Sequence, residues 1–118
     1  MPRQPSRPQS PWRFVGADLP TRLALAQDPA TDAETLTVVA PPARDSRRDP
    51  ALTALVTAVL RHPGCPPAVA ARYVGHPDVA VRRLVLTVGD LSGTALQALS
   101  YDPDAQIRSE AVARLTGG

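Results

Sequence analysis

Lysine is absent from this chain of 118 residues, and all 13 basic side chains are arginines. With 14 prolines and abundant alanine and valine, that choice points to a coding sequence rich in G and C, which bears on the genome and not on function. Aromatics are nearly as scarce. Trp12, Phe14, Tyr73 and Tyr101 are the whole set, so a core must be built from Ala, Val and Leu, and such a core suits closely packed short helices. A single cysteine, Cys65, excludes an internal disulfide and cannot alone hold zinc or an iron–sulfur cluster; a reducing interior is its natural compartment. No run approaches the roughly 20 apolar residues that span a bilayer. Residues 1–11 also lack the apolar centre of a secretory signal. The expectation is a protein of a bacterial-type cytoplasm with no membrane partner.

What is present is a sentence written twice. Sliding the segment Cys65 to Leu115 by 26 residues lays His76-Pro77-Asp78 on Asp102-Pro103-Asp104, Val81-Arg82 on Ile107-Arg108, and Tyr73 on Leu99. Repeats decide architecture before single residues do, because one unit cannot bury its apolar face without a neighbour. The length suits one folded unit, residues 12–118. Residues 1–11, dominated by Pro, Arg, Ser and Gln, cannot bury enough apolar surface to fold and are expected to form a disordered basic arm.

Helix signals follow in order. Trp12, Phe14 and Val15 are expected to cover the open end of the first helix, which Asp18 caps and Pro20 starts, running from Leu19 to Gln27. Asp28-Pro29 stops it. Thr31 or Asp32 caps a second helix through Leu36, Val38 and Val39, which Pro41-Pro42 ends. Residues 41–49, with Arg44, Arg47 and Arg48 against Asp45 and Asp49, read as a polar surface loop between repeats. Asp49-Pro50 starts the best-defined helix, whose Leu52, Leu55, Val56, Val59 and Leu60 form one wide apolar face. In the repeated unit, Pro66-Pro67 opens a short helix carrying Val69, Ala70, Tyr73 and Val74. Asp78 opens another with Val81, Leu84, Val85 and Val88 inward and Gly89 as its C-terminal cap. Ser92 caps the next, with Ala95, Leu96 and Leu99 inside. The last places Ile107, Ala111 and Leu115 inward.

The phrases His76-Pro77-Asp78-x-x-Val81-Arg82 and Asp102-Pro103-Asp104-x-x-Ile107-Arg108-x-x-Ala111 resemble the turn-and-helix phrase of HEAT-like repeats. The short period and the stretch Ala26-Gln27-Asp28-Pro29-Ala30-Thr31-Asp32-Ala33-Glu34-Thr35-Leu36 look still more like the leucine-rich repeat variant. That resemblance covers about residues 19–40 and 62–115. It implies an all-α fold, a short right-handed α-solenoid of stacked helix pairs. The cysteine cluster that holds iron and sulfur beside some members of that family has no counterpart here, so nothing carries over from it. The register of residues 19–61 stays open.

Residues that look like reagents have plainer uses. His62 and His76 each precede a proline, in the inter-helix turns where Asp28 and Asp102 also stand, and no third ligand lies near them in sequence. Cys65 stands at a helix start, where the dipole could lower a thiol pKa, yet Thr31 and Leu91 take its place in the other copies. Asp78, Asp102, Asp104 and Glu110 could be paired carboxylates, but carboxylates beside helix starts are better explained as caps. No catalytic set, metal site or cofactor is expected.

Charge distribution carries what functional content there is. Residues 61–83 hold Arg61, Arg72, Arg82 and Arg83 against Asp78 alone, whereas residues 84–118 hold two arginines against four acids. Arg61, Arg72, Arg82 and Arg83, with His76, are therefore the candidate partner-binding residues, lining one ridge. A phosphate-tracking groove would extend further along the chain, so the favoured function is a non-catalytic protein-interaction or scaffold module with a protein partner. A HEAT-like nucleic-acid-binding protein using the arginine ridge is the alternative. The apolar residues of the final helix add a possible homodimer through that helix.

Overall fold

The computed structural model describes residues 14–117; the expected arm at residues 1–11 and the covering role of Trp12 lie outside them. Among the described residues there are eight α-helices and no β-strand: α1 (Leu19–Gln27), α2 (Ala33–Val39), α3 (Ala43–Arg48), α4 (Ala51–Arg61), α5 (Pro67–Ala70), α6 (Val79–Val85), α7 (Gly93–Leu99) and α8 (Ala105–Gly117). A 3-10 turn, Ala71–Tyr73, continues α5. None of these helices is long and apolar enough to cross a membrane.

Capping follows the sequence closely. Asp18, Asp32 and Ser92 accept the N–H of Thr21, Thr35 and Ala95, and Asp78 accepts that of Ala80, so each start satisfies an otherwise orphaned donor. Asp32, and not Thr31, caps α2; the Thr31 hydroxyl donates instead to the Leu25 carbonyl at 2.6 Å.

Helix α4 presents Leu55, Val56, Val59 and Leu60 to the core with Leu52 at its margin, as its spacing predicts. Burying each such side chain stabilises the fold by about 1.5–3 kcal/mol relative to exposure. α1 packs on α4 and α4 on α6, α2 lies on α1, α3 on α4, the 3-10 turn on α6, and α7 on α8. One core of Ala, Val and Leu runs through these layers from Ala26 to Ala111, with Tyr73 as its one buried aromatic among the described residues. Phe14 packs partly buried against it, while Val15 is exposed.

The structure departs from the sequence reading in three places. The 41–49 connection is not a loop: residues 43–48 form α3, with Asp45 in its first turn, Arg47 and Arg48 in its last, and Ser46 buried. Charges of that order complement the helix dipole. α6 ends at Val85, ahead of Gly89. The N–H groups of Leu86, Thr87 and Val88 turn back to the carbonyls of Arg83, Leu84 and Val85, and the left-handed residue is Asp90, at φ 60°. A short side chain of the Asp type tolerates that conformation better than most. Finally, Leu115 is exposed along with Val112, leaving Ile107 and Ala111 as the buried positions of α8.

Candidate functional site

The turns explain the residues that look reactive. At five places an Asp or His precedes proline: Asp28, Asp49, His62, His76 and Asp102. Proline forces its predecessor out of the helical region and offers no N–H, so the first free donor is two residues on. Each side chain accepts that donor. Ala30 N–H reaches Asp28 Oδ1 at 2.9 Å, Ala51 reaches Asp49 Oδ1 at 3.0 Å, and Asp104 reaches Asp102 Oδ1 at 2.8 Å. The histidines do the same through Nδ1, with Gly64 N–H at 2.9 Å from His62 and Asp78 N–H at 3.0 Å from His76. In these turns histidine stands in for aspartate.

Because Nδ1 accepts, the proton sits on Nε2 of both rings. That of His62 donates to the Asp28 carbonyl at 2.8 Å. That of His76 is buried with no partner among the described residues. Burial, with Arg82 and Arg47 nearby, holds the His76 pKa below its usual value against the pull of Asp78.

A second repeated device is an arginine four residues after a capping aspartate. Arg22 follows Asp18, Arg82 follows Asp78, and Arg108 follows Asp104. Each grips the carbonyls of the turn ahead of its own helix. Arg22 donates from Nε to Ala17 at 2.9 Å and from Nη2 to Val15 at 2.6 Å; Arg82 Nη1 donates to His76 at 2.7 Å and Pro77 at 3.1 Å; Arg108 Nη1 donates to Asp102 at 2.8 Å and Pro103 at 3.0 Å. The other edge of Arg82 crosses to the following turn, with Nε at 2.8 Å from Asp102 Oδ2 and Nη2 at 3.3 Å from Oδ1. Those side chains are only 12% and 3% exposed.

Two contacts reach back over long intervals of the chain. His62 reaches back to the Asp28 carbonyl, 34 residues away, as Arg114 reaches the Val88 carbonyl, 26 residues away. The longer interval contains α3. Arg22 and Arg114 were not among the residues the sequence singled out. The Asp-x-x-x-Arg spacing could have found the first; nothing local marks the second.

The candidate ridge divides accordingly. Arg82 and His76 belong to the internal frame, because their polar atoms serve the turns. Arg83, exposed, pairs with Asp104 at 3.1 Å; Arg72, exposed, donates to the Thr37 carbonyl at 3.3 Å; Arg61 is exposed at the end of α4. Arg61 lines two surface grooves on either side of His62-Pro63. One of about 410 Å3 is bounded by Ala26, Pro29, Ala54 and Ala58, the other of about 390 Å3 by Leu60, Cys65, Leu84 and Val88.

The Cys65 thiol is half-buried, and burial pushes its pKa up to about 11, opposite to what thiolate chemistry needs. Burial likewise raises Tyr73, whose hydroxyl donates to the Pro41 carbonyl at 2.6 Å. Asp104 is held below the usual carboxylate range by the Ile107 N–H, Asp18 and Asp32 by hydrogen bonds from Thr21 and Thr35. Among the described residues no group of three or more His, Cys, Asp or Glu is placed to hold a metal ion. No family model, no curated protein and no solved structure matches this chain.

Proposed function

We propose that the chain is a protein-interaction module, a short right-handed solenoid of helix pairs of the leucine-rich repeat variant or HEAT-like kind. The observation that carries this reading is the repeated use of one device. Asp and His before proline, and Arg after a capping Asp, make equivalent contacts in successive units, so the residues that resemble reagents are accounted for by the frame. Successive packing of α1, α4 and α6 supports the stacked arrangement. What the frame leaves of the candidate ridge is three exposed arginines: Arg61 between two partly apolar grooves, with Arg72 and Arg83 beyond. A surface of that kind suits an acidic protein partner.

Nucleic acid is the weaker reading, since Arg82 is spent inside and Arg83 already faces Asp104. The test is affinity capture from the native organism with the parent chain and with Arg61, Arg72 and Arg83 all changed to Ala. Capture of a defined protein by the parent, lost in the triple variant at low salt, is the expected result. Salt-sensitive binding of duplex DNA or RNA that disappears in the triple variant would overturn it, as would turnover of a substrate by the pure chain.

A further inference from the structure

Arg82 shows what Arg108 is built to hold. Both follow a capping aspartate by four residues, both give Nη1 to the two carbonyls of the preceding turn, and both lie on the same face of equivalent helices. The remaining edge of Arg82 takes the Asp102 carboxylate of the following unit with two hydrogen bonds. The same edge of Arg108, its Nε and Nη2, makes no hydrogen bond to the described residues and is exposed.

The surroundings tell the same story. Leu86, just past the end of α6, is 7% exposed, whereas its counterpart one unit later, Val112 on α8, is 45% exposed. Beside Arg108 lies an open groove of about 540 Å3 lined by Ser100, Ala105, Ser109, Val112 and Ala113, side chains small enough to admit a helix closely.

We propose that this face of α8 docks a partner protein through a turn that leads into a helix and carries one carboxylate, which Arg108 holds as Arg82 holds Asp102. The proposal deepens the reading as an interaction module and rests on it. Three observations fix the occupant's chemistry. A guanidinium edge with two aligned donors matches a carboxylate. Residues 1–13 contain no acidic side chain, so that segment cannot supply one. A second copy stacked head to tail would bring Gly16-Ala17, the counterpart of His76-Pro77 and Asp102-Pro103, and that turn also lacks a carboxylate. Since Ser109 stands where α6 has Arg83, whose partner is Asp104, the site calls for one acid and not two.

The probe is the turn and helix that α6 itself receives. A chain extended after Gly118 by a duplicate of residues 92–117 presents that unit to α8, and thermal unfolding is measured with and without Arg108→Gln. In the parent the substitution is expected to lower the melting temperature by roughly 5 °C, the loss of the two Nη1 hydrogen bonds to the Asp102 and Pro103 carbonyls. In the extended chain it is expected to lower it by about 10 °C or more, and Asn in place of the duplicated copy of Asp102 is expected to do the same. Equal shifts in the two chains would overturn the proposal. So would a duplicated unit that stays unprotected in hydrogen exchange, because α8 would then not accept what α6 accepts. A parent chain whose mass rises with concentration and falls back to monomer in Arg108→Gln would replace the partner protein by a second copy. All of these readouts are independent of Arg61, Arg72 and Arg83, so loss of capture by that surface and loss of docking at α8 are separate results.

Discussion

The turns at His76 and Asp102 do one job with two chemistries. Each side chain accepts the N–H two residues on, and each turn gives its carbonyls to the arginine of the helix it starts. They differ in what the side chain has left. A carboxylate keeps a second oxygen, and that of Asp102 takes Arg82 from the unit before. An imidazole with its proton on Nε2 can only donate again. No arginine of the preceding helix takes the place that Arg82 has beside Asp102: where α1, α6 and α8 carry Arg22, Arg82 and Arg108, α4 carries buried Val56. Arg82 and Asp102 thus form a matched pair across 20 residues.

Breaking the charged pair gives the largest expected effect. Arg82→Met leaves the Asp102 carboxylate buried without its partner, and urea denaturation is expected to show a loss of about 3–5 kcal/mol. Arg82→Met with Asp102→Leu is expected to recover part of that loss, because no lone charge remains inside. If the single variant matched the parent, the pair would not be holding successive units together.

How far the sequence reveals this depends on the kind of contact. Helices α1, α2, α4, α5 and α7 are legible because their caps, prolines and apolar spacing are local. The structural role of His62 and His76 is legible too: sliding the two copies sets His76 upon Asp102, and His62 precedes proline in a turn as Asp28 does. Arg82 is not. Its helix position leaves it free to face solvent, and only the neighbouring unit's Asp102, 20 residues away, shows why it turns inward. α3 escaped because its six residues, five of them polar, carry no apolar stripe, and their helix rests on charge order and on packing against α4.

A smaller effect separates the two turns by pH. His76 has its pKa lowered by burial, so the folded chain holds fewer protons there than the unfolded chain. The resulting stability is complete above the unfolded value of about 6.5 and is lost as pH falls through the folded value. Melting temperature followed from pH 7.5 to 5 is expected to decline, and to decline less in His76→Asn, whose side-chain oxygen still accepts the Asp78 N–H. The capping carboxylate of Asp104, lowered by the Ile107 N–H, contributes stability that disappears only at more acid pH. Equal declines in parent and variant would remove His76 as the source.

The smallest effect belongs to the exposed pair. Arg83→Ala breaks a contact to Asp104 that water already screens, and its urea midpoint is expected to match the parent in high salt. A shift as large as that of Arg82→Met would erase the distinction between frame and surface.

The grip of an arginine on the turn ahead of its helix also acts as a ruler. Where it is present, at Arg22, Arg82 and Arg108, the number of residues between turn and helix is fixed by the reach of one side chain. Where α4 carries Val56, no such tether measures the join, and there the chain accommodates an extra helix, α3. The one join without an arginine tether is thus the one that holds six additional helical residues.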